Sequence, residues 1–113
     1  MGTFNGKTTV ITGAASGIGR ELSLQMSREG SVVIAADYDK KNLDETVKMI
    51  TAAGGKAFAY KLDISDNRQV IKFAADVKKK HGSIDILVNN AGVTLFGKFD
   101  ELSFKDFEWI VNI

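Results

Sequence analysis

The feature that most constrains this sequence is an alternation of short apolar runs with stretches of helical periodicity. Four runs rich in β-branched or apolar residues, typical of strands, lie at 7–11, 31–36, 56–61 and 84–88. Between them, apolar residues recur at the three- and four-residue spacing of amphipathic helices. Such an alternation favours βαβ crossovers, which join parallel strands and place helices on both faces of the sheet. The sequence therefore predicts an α/β fold.

Local signals mark where the helices begin and end. Because the chain contains no proline, glycine and capping residues carry this information. Gly30 is expected to end the first helix, Asp39 to cap the second, and Ser65 to cap a third that Gly82 closes. Ser103 is expected to open a fourth helix that continues, without a stop signal, to the end of the sequence.

Composition excludes several classes of protein. The formal net charge is +1, which gives no broad attraction for nucleic acid or an anionic membrane. Cysteine is absent and His81 is the only histidine, so no metal site is expected. No apolar run approaches the roughly 20 residues of a membrane span, and the opening residues do not resemble a secretory signal. The expected location is cytoplasmic.

Three glycines point to a phosphate-binding turn. Gly13, Gly17 and Gly19 lie directly between the first predicted strand and the first predicted helix. Glycine accepts positive φ and lets the backbone approach a ligand closely. The N-terminus of the following helix offers free N–H groups and a partial positive charge, which suit a pyrophosphate. A plain tight turn is the alternative; the position in a βαβ unit favours dinucleotide binding.

Asp37 lies at the end of the second predicted strand, where an acidic residue meets the adenosine ribose in dinucleotide sites. Its carboxylate is suited to accept hydrogen bonds from both ribose hydroxyls. The same charge would repel a 2′-phosphate, so NAD is expected and NADP is less favoured. The alternative is that Asp37 only begins a turn or caps the next helix, a task for which Asp39 is already placed.

Together these residues resemble the short-chain dehydrogenase/reductase family, in its classical subfamily. The resemblance rests on the segment Thr12-Gly13-Ala14-Ala15-Ser16-Gly17-Ile18-Gly19, on Asp37 and Asp63, on Asn89-Asn90-Ala91-Gly92, and on Asn112. It implies a Rossmann-type doubly wound parallel sheet with strand order 3-2-1-4. It also implies hydride transfer between NAD(H) and a small alcohol or carbonyl substrate, and a homo-oligomer in complete members.

The resemblance also assigns roles to residues. The pyrophosphate and adjoining ribose would be lined by Gly13, Ser16, Ile18 and Gly19, with Gly17 shaping the turn. An uncharged Ser16 agrees with NAD, since NADP-preferring members often carry a basic residue there. The adenine ring would contact Asp63 and Ile64. The motif after the fourth strand, with Asn90, Ala91 and Gly92, would stabilise the central sheet and pass beside the adenosine ribose. Asn112 would support a proton-relay water, and is the one catalytic residue assigned.

The groups that perform catalysis in complete members are not found in these 113 residues. The family's Tyr-x-x-x-Lys motif is absent, because Tyr38 is followed at that spacing by Asn42 and Tyr60 by Ile64. The chain is therefore expected to be the N-terminal part of a single NAD-binding domain, without the C-terminal catalytic and substrate region. The alternatives are a non-catalytic NAD(H)-binding module and an interaction partner of full-length homologues. A bare edge at the fourth strand is expected, and with it self-association.

Two further groups of residues have structural interpretations. The run from Lys78 to His81 is expected to be a solvated helix end rather than a binding patch, with His81 on the surface. Met26 and Met49 are expected to fill the core.

Overall fold

The computed structural model describes residues 4–90 and 93–96, in which strands and helices alternate as far as β4 and a fifth strand follows. In chain order these are β1 (Thr8–Thr12), α1 (Gly17–Arg28), β2 (Val32–Asp37), α2 (Lys40–Ala52), β3 (Ala57–Lys61), α3 (Asn67–His81), β4 (Ile86–Asn89) and β5 (Val93–Phe96). The predicted α/β class is confirmed, and the first four strands follow the predicted apolar runs to within two residues at either end.

The strands form one sheet in the order β3-β2-β1-β4-β5. The strands β1 to β4 are parallel to one another, which confirms the Rossmann-type order 3-2-1-4. The expectation of a bare β4 edge is wrong. Strand β5 pairs with β4 in antiparallel register, from Ile86 opposite Phe96 to Asn89 opposite Val93. The backbone groups on that side of β4 are therefore paired with the next segment of the chain itself.

Helices cover the sheet on both faces because successive residues of each central strand point in opposite directions. Ile11 and Val33 face one side, where they pack with α1 and α2 around Leu43. Val10 and Ile34 face the other side, in a cluster with the apolar stripe of α3. All five side chains are fully buried. Strands buried on both faces require the continuous apolar runs seen in the sequence.

The helix boundaries confirm two predicted residues and correct one. Asp39 caps α2 through its side chain, and Gly82 ends α3 with a φ of 75°. The predicted cap Ser65 is wrong, since Asp66 accepts the N–H groups of the first turn of α3. Ser65 instead donates its N–H and its hydroxyl to the Asp63 carboxylate, so it belongs to the preceding turn. The helix predicted from Ser103 lies outside the described residues.

Two predictions about burial are also corrected. Met26 is buried, as expected, but the Met49 side chain is 42% exposed. His81 is half-buried rather than a surface residue, and its Nε2 lies 2.8 Å from the hydroxyl of Tyr60. Its ring also packs on Phe58, with ring centroids 4.7 Å apart.

Candidate functional site

Those predicted site residues that the structure describes lie at one edge of the sheet. Since β1 to β4 are parallel, their carboxyl ends share that edge. The glycine turn follows β1, Asp37 ends β2, Asp63 follows β3 and Asn90 follows β4. The connection from β1 leads to β2 on one side, while β4 lies on the other side of β1. Ligands of doubly wound folds bind in the crevice at such a reversal of strand order.

The backbone of the glycine turn depends on its glycines. Gly13 has a φ of 68° and Gly17 a φ of 57°, in the left-handed region that side chains with a Cβ rarely adopt. Gly19 is required for a different reason, because a Cβ there would lie 1.9 Å from the Gly13 carbonyl oxygen. Helix α1 therefore packs directly against the turn that precedes it.

The N-terminus of α1 is open to solvent. Ser16 is the N-cap residue with extended backbone, and its side chain makes no capping hydrogen bond. Ser16, Gly17 and Ile18 are exposed, Ile18 to 77%. No acidic side chain lies in the first turn, and no described atom lies within 4 Å of the position of a Cβ on Gly17. This space beside free N–H groups fits a diphosphate.

The Asp37 carboxylate is fixed beside the glycine turn. Its Oδ2 accepts the Ala15 N–H at 2.9 Å, and its Oδ1 accepts the Asp39 N–H at 3.0 Å. Its carbonyl oxygen accepts the Leu62 N–H at 2.9 Å, which joins it to the end of β3. Each carboxylate oxygen retains a further lone pair. Since Asp39 caps α2, Asp37 is held by the turn rather than by the helix.

The end of β4 packs on the same turn. The Asn90 N–H donates to Thr12 Oγ1 at 3.2 Å, and the buried Thr12 hydroxyl lies 3.0 Å from Asn89 Oδ1, to which it donates. A Cβ on Gly13 would lie 2.9 Å from the Asn90 side chain, so these two residues are in close contact. Ala91, Gly92 and Asn112 lie outside the described residues.

The segment after β3 is ordered by its own hydrogen bonds. The Asp63 Oδ1 accepts the Ser65 N–H at 3.0 Å and the Ser65 hydroxyl at 2.6 Å. These bonds hold the pKa of Asp63 below its usual value. Ile64 is half-buried and packs against the core cluster on the α3 side. Both residues lie at the predicted edge, with the Asp63 carboxylate turned toward Ser65.

One group of contacts at this edge was not anticipated. The buried Thr46 hydroxyl of α2 donates to the Ala14 carbonyl at 2.9 Å and accepts from Arg20 Nε at 2.8 Å. A signal for it was present, because Thr46 is a polar residue in the apolar stripe between Leu43 and Ile50. Such a position indicates a hydroxyl with a buried partner.

Within residues 4–90 and 93–96, no three side chains of the metal-ligating types converge on one point. The helices of the same residues are all too short or too polar to cross a membrane.

A parallel sheet ordered 3-2-1-4, with a glycine turn leading into α1 and an acidic residue ending β2, defines a Rossmann-like nucleotide-binding fold. More narrowly, the chain belongs to the short chain dehydrogenase family, whose family model matches residues 7–113. Solved members of this family include complexes with NADH and with NADP. The resemblance identified from the sequence is therefore confirmed at the level of family and fold.

Three relatives show how far the similarity extends. The 3-oxoacyl-(acyl-carrier-protein) reductase FabG of Thermotoga maritima is 41% identical over 97% of this chain and 45% of its own length. A 7α-hydroxysteroid dehydrogenase complexed with NADH and 7-oxo glycochenodeoxycholic acid is 35% identical, with a TM-score of 0.74, over 76% of this chain and 34% of its own. A metagenomic short-chain oxidoreductase in complex with NADP is 34% identical, with a TM-score of 0.77. The match covers 97% of this chain and 51% of that oxidoreductase. The chain thus spans about half or less of each relative's length.

Proposed function

We propose that this chain binds NAD(H) and forms the N-terminal, cofactor-binding part of a dehydrogenase/reductase acting on a small alcohol or carbonyl substrate. The observation that carries the proposal is the Asp37 carboxylate, which is hydrogen-bonded to the glycine turn at Ala15. The carboxylate therefore lies beside the turn in which we expect the diphosphate to bind, and it is available there to accept hydrogen bonds from the ribose hydroxyls. When bound, the nicotinamide would accept or supply the hydride.

The diphosphate is expected at the N-terminus of α1. Gly13, Ser16, Gly17, Ile18 and Gly19 supply the turn and the exposed N–H groups of the first helical turn. A bound diphosphate is stabilised there by hydrogen bonds from the backbone and by the helix dipole, and the dipole contributes about 0.3–1 kcal/mol at an exposed site. The exposed Ile18 side chain is expected to lose solvent contact when the dinucleotide lies across the turn.

The preference for NAD over NADP follows from Asp37. Its two oxygens are anchored on one side by N–H groups, which leaves lone pairs for the two ribose hydroxyls. Hydrogen bonds to a charged acceptor contribute about 1.5–3 kcal/mol each. A 2′-phosphate at the same place meets the carboxylate as a like charge. Since relatives are known with NADH and with NADP, the discrimination proposed here rests on this chain's own residues.

The remaining assignments extend the site along the same edge. Asp63 and Ile64 are proposed to border the adenine, and Asn90, Ala91 and Gly92 the ribose on the β4 side. Ile64 is already held by the core, so it offers a preorganised apolar surface. Asn112 is proposed to hold a proton-relay water.

A titration of NAD⁺ and NADP⁺ against the wild-type protein and Asp37→Asn tests the proposal. The single asparagine oxygen still serves as the acceptor for the Ala15 N–H, its NH2 group replaces the oxygen that accepts the Asp39 N–H, and the charge is removed. The wild type is expected to bind NAD⁺ more tightly, and Asp37→Asn is expected to lower the NADP⁺/NAD⁺ ratio of dissociation constants about tenfold to hundredfold. Isothermal titration calorimetry gives both constants.

Asp44→Asn is the matched control, because Asp44 is an exposed carboxylate of α2 that pairs with Lys40 at 2.6 Å. It removes the same charge from the helix that follows β2 and should leave the ratio unchanged. Equal dissociation constants for the two dinucleotides in the wild type would refute the NAD preference, and equal ratios in wild type and Asp37→Asn would refute the role of Asp37 in it. A wild-type protein that is folded and yet binds neither dinucleotide would refute the function itself.

A further inference from the structure

The hydroxyl of Thr46 makes an uncommon contact for a helix residue. Thr46 is completely buried on α2, and its Oγ1 lies 2.9 Å from the carbonyl oxygen of Ala14 in the glycine turn. The same hydroxyl lies 3.3 Å from Asn42 O, the acceptor one helical turn earlier. A threonine in a helix ordinarily bonds back to its own helix in that way. In this protein the shorter of the two distances joins the Thr46 hydroxyl to Ala14, which lies in the turn and not in the helix.

Arg20 decides between these two acceptors. Its Nε donates to Thr46 Oγ1 at 2.8 Å, which occupies a lone pair of the hydroxyl and directs the hydroxyl hydrogen elsewhere. Its Nη2 donates to Asn42 O at 2.9 Å, so the competing acceptor already has a charged donor. The guanidinium therefore orients the single hydroxyl hydrogen toward Ala14, because its rigid fork matches both atoms at once.

The Ala14 carbonyl and the Ala15 N–H belong to one planar peptide group. Its oxygen accepts from Thr46 at 2.9 Å, and its N–H donates to Asp37 Oδ2 at 2.9 Å. The plane is thus held at both ends, by α2 on one side and by the carboxylate that ends β2 on the other. Loss of either bond would allow the plane to rotate and would change the direction in which the Asp37 oxygens point.

We propose that Thr46, oriented by Arg20, is a positioning residue for dinucleotide selection: it fixes the Ala14–Ala15 peptide and through it the Asp37 carboxylate. The inference rests on the proposed binding of NAD(H) at this edge. Neither side chain is required to touch the cofactor. Their effect is transmitted through one peptide group, and so the selectivity depends on a contact between α2 and the turn.

Amide hydrogen exchange without cofactor tests the anchoring directly. Thr46→Val keeps the shape of the side chain and removes the hydroxyl, and the Ala15 amide is expected to exchange about fivefold faster, corresponding to one lost hydrogen bond. Thr46→Ser restores the hydroxyl and should restore the protection. Thr51→Val is the matched control, since Thr51 Oγ1 donates only within α2, to Val47 O at 2.7 Å. Arg20→Met, whose site is half-exposed, repeats the test if Thr46→Val does not fold.

Dissociation constants for NAD⁺ and NADP⁺ test the consequence for selection. Thr46→Val is expected to lower the NADP⁺/NAD⁺ ratio about fivefold, Thr46→Ser to recover it, and Thr51→Val to leave it unchanged. A general loss of stability would weaken both dinucleotides alike and leave the ratio where it was, which would overturn the positioning role.

Failure of the positioning role and failure of dinucleotide binding give different results. If the wild type binds NAD⁺ but Thr46→Val matches Thr51→Val in Ala15 exchange and in the ratio, the inference alone is wrong. If the folded wild type binds neither dinucleotide, the proposed function is wrong and the selective role falls with it, whatever the exchange rates show.

Discussion

Four aspartates near the carboxyl edge of the sheet show how position determines the task of one residue type. Asp37 accepts the Ala15 N–H of the glycine turn. Asp39 and Asp66 cap α2 and α3. Asp63 closes the turn after β3 by accepting from the residue two positions later. All four carboxylates accept backbone N–H groups, and only the Asp37 carboxylate accepts one from another segment of the site.

The two methionines give a test of burial at the scale of one residue. Met26 is 8% exposed and belongs to the core cluster under α1, whereas Met49 is 42% exposed on α2. Met26→Ala is expected to lower the free energy of unfolding by about 2–4 kcal/mol, because it removes buried methylenes and leaves a cavity. Met49→Ala, the control, should cost less than about 1 kcal/mol. Urea denaturation measures both, and equal losses would contradict the burial.

The elements of this fold begin and end through contacts of a few neighbouring residues. At the start of α3, the Asp66 side chain accepts the N–H groups of Arg68 and Gln69. The Gln69 side-chain oxygen in turn accepts the Asp63 N–H at 3.0 Å. The helix start and the turn before it are therefore one hydrogen-bonded unit. This unit holds Ile64 against the core at the edge where the adenine is proposed to bind.

The start of α3 gives a test at the scale of one element. Asp66→Ala is expected to lower the free energy of unfolding by about 1 kcal/mol, the usual effect of removing an N-cap. Ser65→Ala removes the side chain that sequence patterning assigned to this cap, and it should cost clearly less because its exposed hydroxyl bonds only to Asp63. Chemical denaturation followed by circular dichroism measures both. A larger loss for Ser65→Ala would place the cap one residue earlier.

At the scale of the whole molecule, distant segments are joined by side chains that are not neighbours in the sequence. The hydroxyl of Tyr60 on β3 pairs with the His81 ring at the end of α3, and that ring also packs on Phe58. Burial, with a smaller contribution from Lys80, lowers the pKa of His81 below its ordinary 6.5. Burial also raises the pKa of Tyr60. The neutral ring is therefore the form that the fold favours.

The lowered pKa of His81 determines whether the stability of the folded state rises or falls with pH. Because the pKa of His81 is lower in the folded than in the unfolded state, the unfolded chain binds more protons as the solution becomes acidic. The contribution of neutral His81 to the stability of the folded state is complete above about pH 6.5. It is lost as the pH falls toward the folded-state pKa of His81. Thermal denaturation of His81→Gln should show a shallower loss from pH 7.5 to about pH 5.5 than the wild type. Lys79→Gln changes a charge on the same exposed helix end, and its melting temperature should depend on pH as steeply as that of the wild type. The same pH dependence in the wild type and both variants would contradict the prediction.

The first four strands and the helices α1 to α3 of this protein were predictable because their signals are local. Runs of apolar residues, helical periodicity and the glycines at 13, 17 and 19 depend on φ preferences and side-chain period within a few residues. The position of Asp37 followed from the same reasoning, since a residue at the carboxyl end of a parallel strand must lie at the shared edge. Family membership was predictable for the same reason, because the glycine turn and the Asn89–Gly92 motif are read directly from the residue order.

The tertiary structure alone decided those contacts that depend on how the elements are rotated and paired. No local pattern says that β5 folds back on β4, that Met49 points away from the core, or that the His81 ring meets Tyr60. The contact of Thr46 with Ala14 joins residues 32 positions apart. Its existence depends on the rotation of α2 over the sheet, which the packing of many side chains determines together. The amino-acid order therefore specified which groups stand at the carboxyl edge, and the packing of helices on the sheet decided which of them hold one another in place.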